Sequence, residues 1–257
     1  MMKKYITSLI LLTCTIGLIW SCSKKIENIA LVTPTDGYAF IKFGQYSPNF
    51  RTIVNGRDSF NIYVNEKKIN GAFLTFNSIF PGTSNLYAAV PAGIQTIRMT
   101  VNGVNTPDSV SLFAYSKNLV AGNYYSLFIT DSMTSLIESK QMFLTDNFAR
   151  TDTLHYTIRL VHTIFNDLGG NIDIYSNRLA ANMFSNISPG TTTSFASQPY
   201  TLALDTLILR RAGTLTELAR FNGAVLARER AYTLVYKGNA SATTGTKARA
   251  LSLFFNQ

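Results

Sequence analysis

The chain has 257 residues, of which 46% are hydrophobic and 14% charged, and its 23 Lys and Arg against 14 Asp and Glu give a formal net charge of +9. So apolar a composition excludes a disordered chain, which lacks the surface to bury. Two cysteines exclude a disulfide-rich scaffold. The excess positive charge lies mainly in the distal half, with 10 Lys and Arg against 5 Asp and Glu in 154–257. Its dispersal along the chain reads as strand charges that keep edges soluble, and no nucleic-acid partner is expected.

Lys3 and Lys4 open the chain and residues 5–20 carry no charge. A cationic start before a short apolar run is the layout of an export signal. The run falls short of the roughly 20 apolar residues of a membrane-spanning helix. Ile19-Trp20-Ser21-Cys22 resembles the lipobox of bacterial lipoproteins. That resemblance implies a signal peptide over 1–21 and a diacylglyceride-bearing, palmitate-bearing Cys22 as the first mature residue. Each buried methylene of such an anchor is worth about 0.8 kcal/mol, so two or three chains hold the protein on a membrane. Cys14 leaves with the signal, and the mature chain then has no free thiol. Residues 22–36 read as a tether. Lys24 and Lys25 stand where surface lipoproteins of the Bacteroidetes carry an acidic export tag. The expected location is therefore the outer membrane, on its periplasmic face.

Beyond the tether, alternation of period two dominates. Ala39-Phe40-Ile41-Lys42-Phe43, Phe60-Asn61-Ile62-Tyr63-Val64, Ile97-Arg98-Met99-Thr100-Val101 and Tyr156-Thr157-Ile158-Arg159-Leu160 read as strands. Asn55-Gly56, Asn102-Gly103 and Asn222-Gly223 read as hairpin turns. Four segments recur in the same order. Residues 60–65 match 172–177, 79–83 match 187–191, 96–98 match 206–208, and 125–128 match 232–235. The fold class expected is all-β, with two tandem immunoglobulin-like or transthyretin-like β-sandwich modules over 37–145 and 154–257. The apolar tail Ala250-Leu251-Ser252-Leu253-Phe254-Phe255 is the expected closing strand of the second module, with Leu251, Leu253 and Phe255 on one face and Phe254 on the other. Residues 141–144 are its counterpart in the first.

The stretch Tyr156 to His162 followed by Asn171-Ile172-Asp173-Ile174-Tyr175, together with Val90-Pro91-Ala92-Gly93 before Thr96-Ile97, resembles a bacterial domain-of-unknown-function family, DUF4397. The resemblance implies tandem sandwiches in secreted or anchored proteins. The first copy departs from it, with Gly44-Gln45-Tyr46 in place of a His-Ala segment and Asn61 in place of the Asp.

Sites are few. No Cys or His pair stands at zinc spacing, and there is no nucleophile elbow or phosphate loop. No catalytic residue, metal or cofactor is expected. His162 and Asp173 are expected as a ligand-binding or register-fixing pair on adjacent strands. Tyr63 and Tyr175, at matching positions, are candidate aromatic contacts. The only tryptophan, Trp20, lies in the signal. The composition suits a non-enzymatic envelope lipoprotein acting as a scaffold or protein-interaction module. The alternative is a glycan-binding lipoprotein that captures carbohydrate at the outer membrane.

Overall fold

A computed structural model describes residues 36–48, 59–82, 85–101, 111–130, 140–148 and 152–257. Cys22, Asn55-Gly56 and Asn102-Gly103 lie outside them. The described chain is all-β, with no α-helix.

In the first half, an inner sheet holds β1 (Tyr38–Gln45), β9 (Tyr124–Ile129) and β10 (Met142–Thr145), with β5 (Ile79–Phe80) and β6 (Ala88–Pro91) along the far side of β1. An outer sheet holds β2 (Ser59–Val64), β7 (Gly93–Val101) and β8 (Ser111–Leu119), with β3 (Lys67–Lys68) and β4 (Leu74–Thr75) on β2. The second half repeats this plan. Its inner sheet runs β14 (Ala196–Pro199), β11 (His155–His162), β17 (Ala231–Lys237), β18 (Ala250–Phe255). Its outer sheet runs β13 (Ala181–Ile187), β12 (Ile172–Ser176), β15 (Asp205–Arg211), β16 (Glu217–Ala224). Among the described residues no sheet mixes strands from the two halves.

On the central inner strands the register carries the repeat down to single residues. The first strand of each half runs parallel to its next-to-last, placing Ile41 opposite Tyr125 and Ile158 opposite Tyr232. Each of these tyrosines accepts a hydrogen bond from a backbone N–H five residues upstream, at 3.0 Å from Val120 and 2.8 Å from Ala227. A tyrosine tied back to the chain in this way pins a sandwich corner. The Asn65 N–H bonds the Thr96 carbonyl at 2.9 Å and the Asn177 N–H bonds that of Thr206 at 3.1 Å. The Pro-Gly match does not carry over. Ile79 pairs with Gly44 of the inner sheet, whereas Ile187 pairs with Ile172 of the outer one.

Asn222-Gly223 is not a hairpin turn. It lies inside β16, where the ladder with β15 shifts register and Gly223 takes φ 67°. The extra residue makes a bulge, which needs the same positive φ as the turn it was expected to form.

Each half has its own core. Ile41, Phe43, Phe60, Ile62, Ile97 and Leu127 fill the first. Ile158, Leu160, Ile174, Leu207, Leu209 and Leu234 fill the second. A third cluster, of Tyr46, Phe128, Met142, Val161, Val235 and Phe254, joins the two inner sheets. Those sheets are therefore covered on both faces, and every one of the seven positions of β17 is buried. The closing strand divides as the alternation requires. Leu251, Leu253 and Phe255 pack into the second core, and Phe254 into the junction. Residues 36–257 form one compact unit.

Candidate functional site

The junction is more than apolar. Register matching places Lys42 with Arg159, Ser126 with Thr233, and Asp146 with Asn256 in the two halves. All six are buried. The Asp146 carboxylate forms an ion pair with Arg159. It also accepts hydrogen bonds from Ser126 Oγ at 2.6 Å, Tyr87 Oη at 2.7 Å and Asn256 Nδ2 at 3.3 Å. Arg159 Nε donates to Thr233 Oγ1 at 2.9 Å, and that hydroxyl donates to Asn256 Oδ1 at 2.7 Å. Lys42 Nζ donates to the Phe255 carbonyl at 2.6 Å and sits 4.9 Å from the centre of the Phe254 ring. Burial lowers the Lys42 pKa to about 8, with Asp146 opposing the shift. Burial and the adjacent Asp146 push the Tyr87 phenol far above its usual range. A charge network so satisfied fixes how the two sandwiches meet, because any other arrangement strands a buried ion.

Beside this weld an open groove crosses both halves. One hollow, of about 450 Å³, has Tyr46, Asn77 and Ile79 of the first half on one side and Phe221, Ser252 and Phe255 of the second on the other. A second hollow, of about 520 Å³, shares Val225 and Phe255 with it and continues past Tyr232 to a polar rim of Asn85, Arg230 and Gln257. Val225 is 65% exposed. The Tyr46 and Ser252 hydroxyls are buried and lie close enough to one another to interact. Burial pushes the Tyr46 phenol above its usual range, and nearby Ser252 opposes this. Lys237, on β17, donates from Nζ to Asn77 Oδ1 and lies 6.0 Å from the Tyr46 ring centre. Burial alone lowers its pKa to about 8.

The pair expected between His162 and Asp173 does not form. His162 is on β11 of the inner sheet and Asp173 on β12 of the outer one, so the two strands are not neighbours. Asp173 accepts from the Asn186 and Gly213 N–H groups at 2.7 and 3.1 Å and from Asn182 Nδ2, the role of a carboxylate that holds loops. The acid facing His162 is Asp167, 4.0 Å from Nε2. Asp167 is itself held by Arg211 at 3.0 Å and by Tyr236. Burial lowers the His162 pKa to about 4, with Asp167 opposing. Tyr63 and Tyr175 do occupy matching places on the two outer sheets, and each carries an arginine over its ring. Arg98 lies 4.6 Å from the Tyr63 centroid and Arg210 lies 3.9 Å from that of Tyr175. Sequence reasoning missed Lys42, Asp146, Arg159 and Asn256. The available signal was the coincidence of Lys42 and Arg159 at the same place in the repeat. Among the described residues no three His, Cys, Asp or Glu side chains cluster as metal ligands.

No family model matches the chain, and no curated protein matches it. The resemblance to DUF4397 thus rests on strand and turn patterns that many sandwiches share. Among solved structures the chain is similar to the crystal structure of proposed polysaccharide-binding proteins (DUF1812) from Bacteroides thetaiotaomicron. The identity is 10%, the match covers 85% of this chain and 96% of that one, and the TM-score is 0.25. At that score the likeness carries no inference about binding.

Proposed function

We propose that this is a non-enzymatic lipoprotein of the cell envelope, anchored through acylated Cys22 at the periplasmic face of the outer membrane, and that it works as a protein-interaction module. The observation that carries the reading is the groove built jointly by two welded sandwiches. A site shared between modules keeps its shape only if the modules cannot swing, and the Asp146–Arg159 network supplies that rigidity. The glycan alternative draws less support. The ring faces of Tyr63 and Tyr175 that a sugar would stack on are taken by Arg98 and Arg210.

Two measurements test the reading. Labelling with a palmitate analogue should mark the wild type and be abolished in Cys22→Ser; label that persists removes the anchor. Photoreactive residues introduced in living cells at Asn85 and Arg230 should give discrete adducts with an envelope protein, and those at the exposed Leu168 and Leu215 should not. Retention on envelope polysaccharides with no protein adduct would transfer the reading to the glycan class.

A further inference from the structure

The weld joins the halves at matching heights along their strands. Asp146, one residue past β10, meets Asn256, one residue past β18. The Asp146 N–H bonds the Tyr124 carbonyl and the Asn256 N–H that of Ala231, at the first residues of β9 and β17. At the other end of these strands Lys237, the last residue of β17, reaches Asn77, whose N–H bonds the carbonyl of Gln45, the last residue of β1. With β1 parallel to β9 and β11 parallel to β17, all four strands begin at one end of the molecule. Asp36, the first described residue, lies at that end, since the next residue, Gly37, accepts from the Ala92 N–H before β7. The same end is apolar where it meets solvent. In the first half the Gly122 N–H bonds the Tyr38 carbonyl, which gathers Tyr38, Ile94 and Val120, all exposed, Ile94 at 75%. In the second half the Tyr200 N–H bonds the Leu154 carbonyl, which brings Leu154 to the β14–β15 loop, where Leu202 is 91% and Leu204 65% exposed. Ile94 and Leu204 stand at the same place in the repeat, three residues before Ile97 and Leu207.

Single exposed apolar side chains need no account, but a cluster of them marks a surface that something apolar covers. The position of the chain says what is at hand. Cys22 precedes Asp36 by 14 residues, and a chain of that length spans at most about 50 Å when fully stretched. An acyl anchor on Cys22 therefore keeps a bilayer within reach of this end. To bring the opposite end down, the same segment would have to run back along the strands, about 26 Å for the eight residues of β11. Tethering also makes the contact intramolecular, so that modest apolar burial suffices. Charge favours no other partner here, because the exposed Arg228 and Arg230 are offset by the exposed Asp36, Asp152 and Glu229. We infer that this end rests on the lipid surface, with Tyr38, Ile94 and Val120 of one half and Leu154, Leu202 and Leu204 of the other entering the interfacial layer. The groove, which runs from Arg230 and Gln257 to Asn77, then stands across the membrane plane with its Asn77 end outward. This rests on reading Cys22 as the lipid anchor and names the surface that orients the anchored protein.

The test uses the full acylated chain in phosphatidylcholine vesicles. With Cys14 removed and Cys22 acylated, an introduced cysteine is the one free thiol and can carry a fluorophore. Ile94→Cys and Leu202→Cys place it at the apolar end. Leu168→Cys and Leu215→Cys place it at the opposite end, in the β11–β12 and β15–β16 loops, at residues that are also exposed and apolar. Lipids brominated in their acyl chains should quench the first two labels at least about threefold more than the second two. Replacing part of the lipid by anionic phosphatidylglycerol should change this by less than about twofold, because apolar burial and not charge holds the contact. Leu202→Glu with Leu204→Glu alters only exposed side chains, and it should lower the quenching at Ile94→Cys by about threefold or more. Equal quenching at the two ends, quenching at neither, quenching that needs the anionic lipid, or indifference to the paired glutamates would overturn the inference. If palmitate labels Cys22 and the apolar end is not quenched, this inference falls and the anchor stands. If the wild type takes no palmitate label, both fall.

Discussion

Asp146→Ala isolates the weld. The substitution deletes the one carboxylate of a buried network, leaving the Arg159 guanidinium, 3% exposed, without its counter-ion. It also strips an acceptor from Ser126, Tyr87 and Asn256. Breaking a buried pair from one side costs about 3–5 kcal/mol, and stranded donors add to it without summing fully. Taking about 4 kcal/mol, and roughly 2–4 °C per kcal/mol for a chain of this size, the melting temperature should fall by about 8–16 °C. Calorimetry with far-UV circular dichroism is the assay. The wild type should unfold in one transition, because the network belongs to both halves, and Asp146→Ala should separate it into two. The double variant Asp146→Leu with Arg159→Met is the sharper arm. With no ion left to strand, it should recover most of the loss. The reasoning is refuted if Asp146→Ala melts within about 2 °C of the wild type, or if the two substitutions destabilise additively.

Three further outcomes follow from the same structure. Lys42 and Lys237 have folded pKa values of about 8 against 10.5 for an ordinary lysine. Between those values the unfolded chain holds protons that the folded one has released, so stability should rise with pH from about 8 toward 10; the urea midpoint should increase from pH 7.5 to 9.5, Lys42→Met should flatten that rise, and a falling midpoint would contradict it. His162, lowered to about 4, contributes stability that is full above about pH 6.5 and lost as pH falls through 4; His162→Gln should weaken the acid dependence of the midpoint between pH 6.5 and 4, and an unaltered profile would remove His162 as its source. Gly44→Ala would place a methyl 2.5 Å from Tyr46 Cε2 and 3.2 Å from Phe128 Cδ1; that overpacking should cost about 1–3 kcal/mol in chemical denaturation, and a neutral effect would mean that Tyr46 can move aside freely.

What the sequence made legible was set by local rules. Alternation named the strands, and in the tail it divided Leu251, Leu253 and Phe255 from Phe254 as the packing does. The recurrence of Tyr125 as Tyr232 located equivalent corners. The largest failure depends on what faces a strand from outside its own module. Lys42 and Arg159 sit at alternate positions of apolar strands, the pattern of charges that face water. Here a second sheet covers them. His162 and Asp173 follow closely in sequence, but the chain crosses between sheets after β11, so nearness along the chain did not give neighbouring strands. Asn222-Gly223 carried a signal for positive φ that a bulge satisfies as well as a turn.

The groove exists on one side of the junction because the two copies have diverged at matching positions. Tyr46 occupies the place of Thr163, Ser252 that of Met142, and Gly44 that of Val161. On the Thr163 side the hydroxyl is spent, donating to the Tyr236 carbonyl at 2.8 Å, and Met142 and Val161 are closed into the apolar junction. On the Tyr46 side the absence of a side chain at Gly44 lets the aromatic ring lie against the backbone, with its buried hydroxyl beside Ser252. Tyr46 and Ser252 line the hollow that opens on this side. Restoring the pattern of the Thr163 and Met142 side with Tyr46→Thr and Ser252→Met should therefore reduce the protein adducts formed from Asn85 and Arg230 while leaving Asp146, Arg159 and the weld in place. A protein so altered that still formed those adducts at full yield would place the binding surface elsewhere on the molecule.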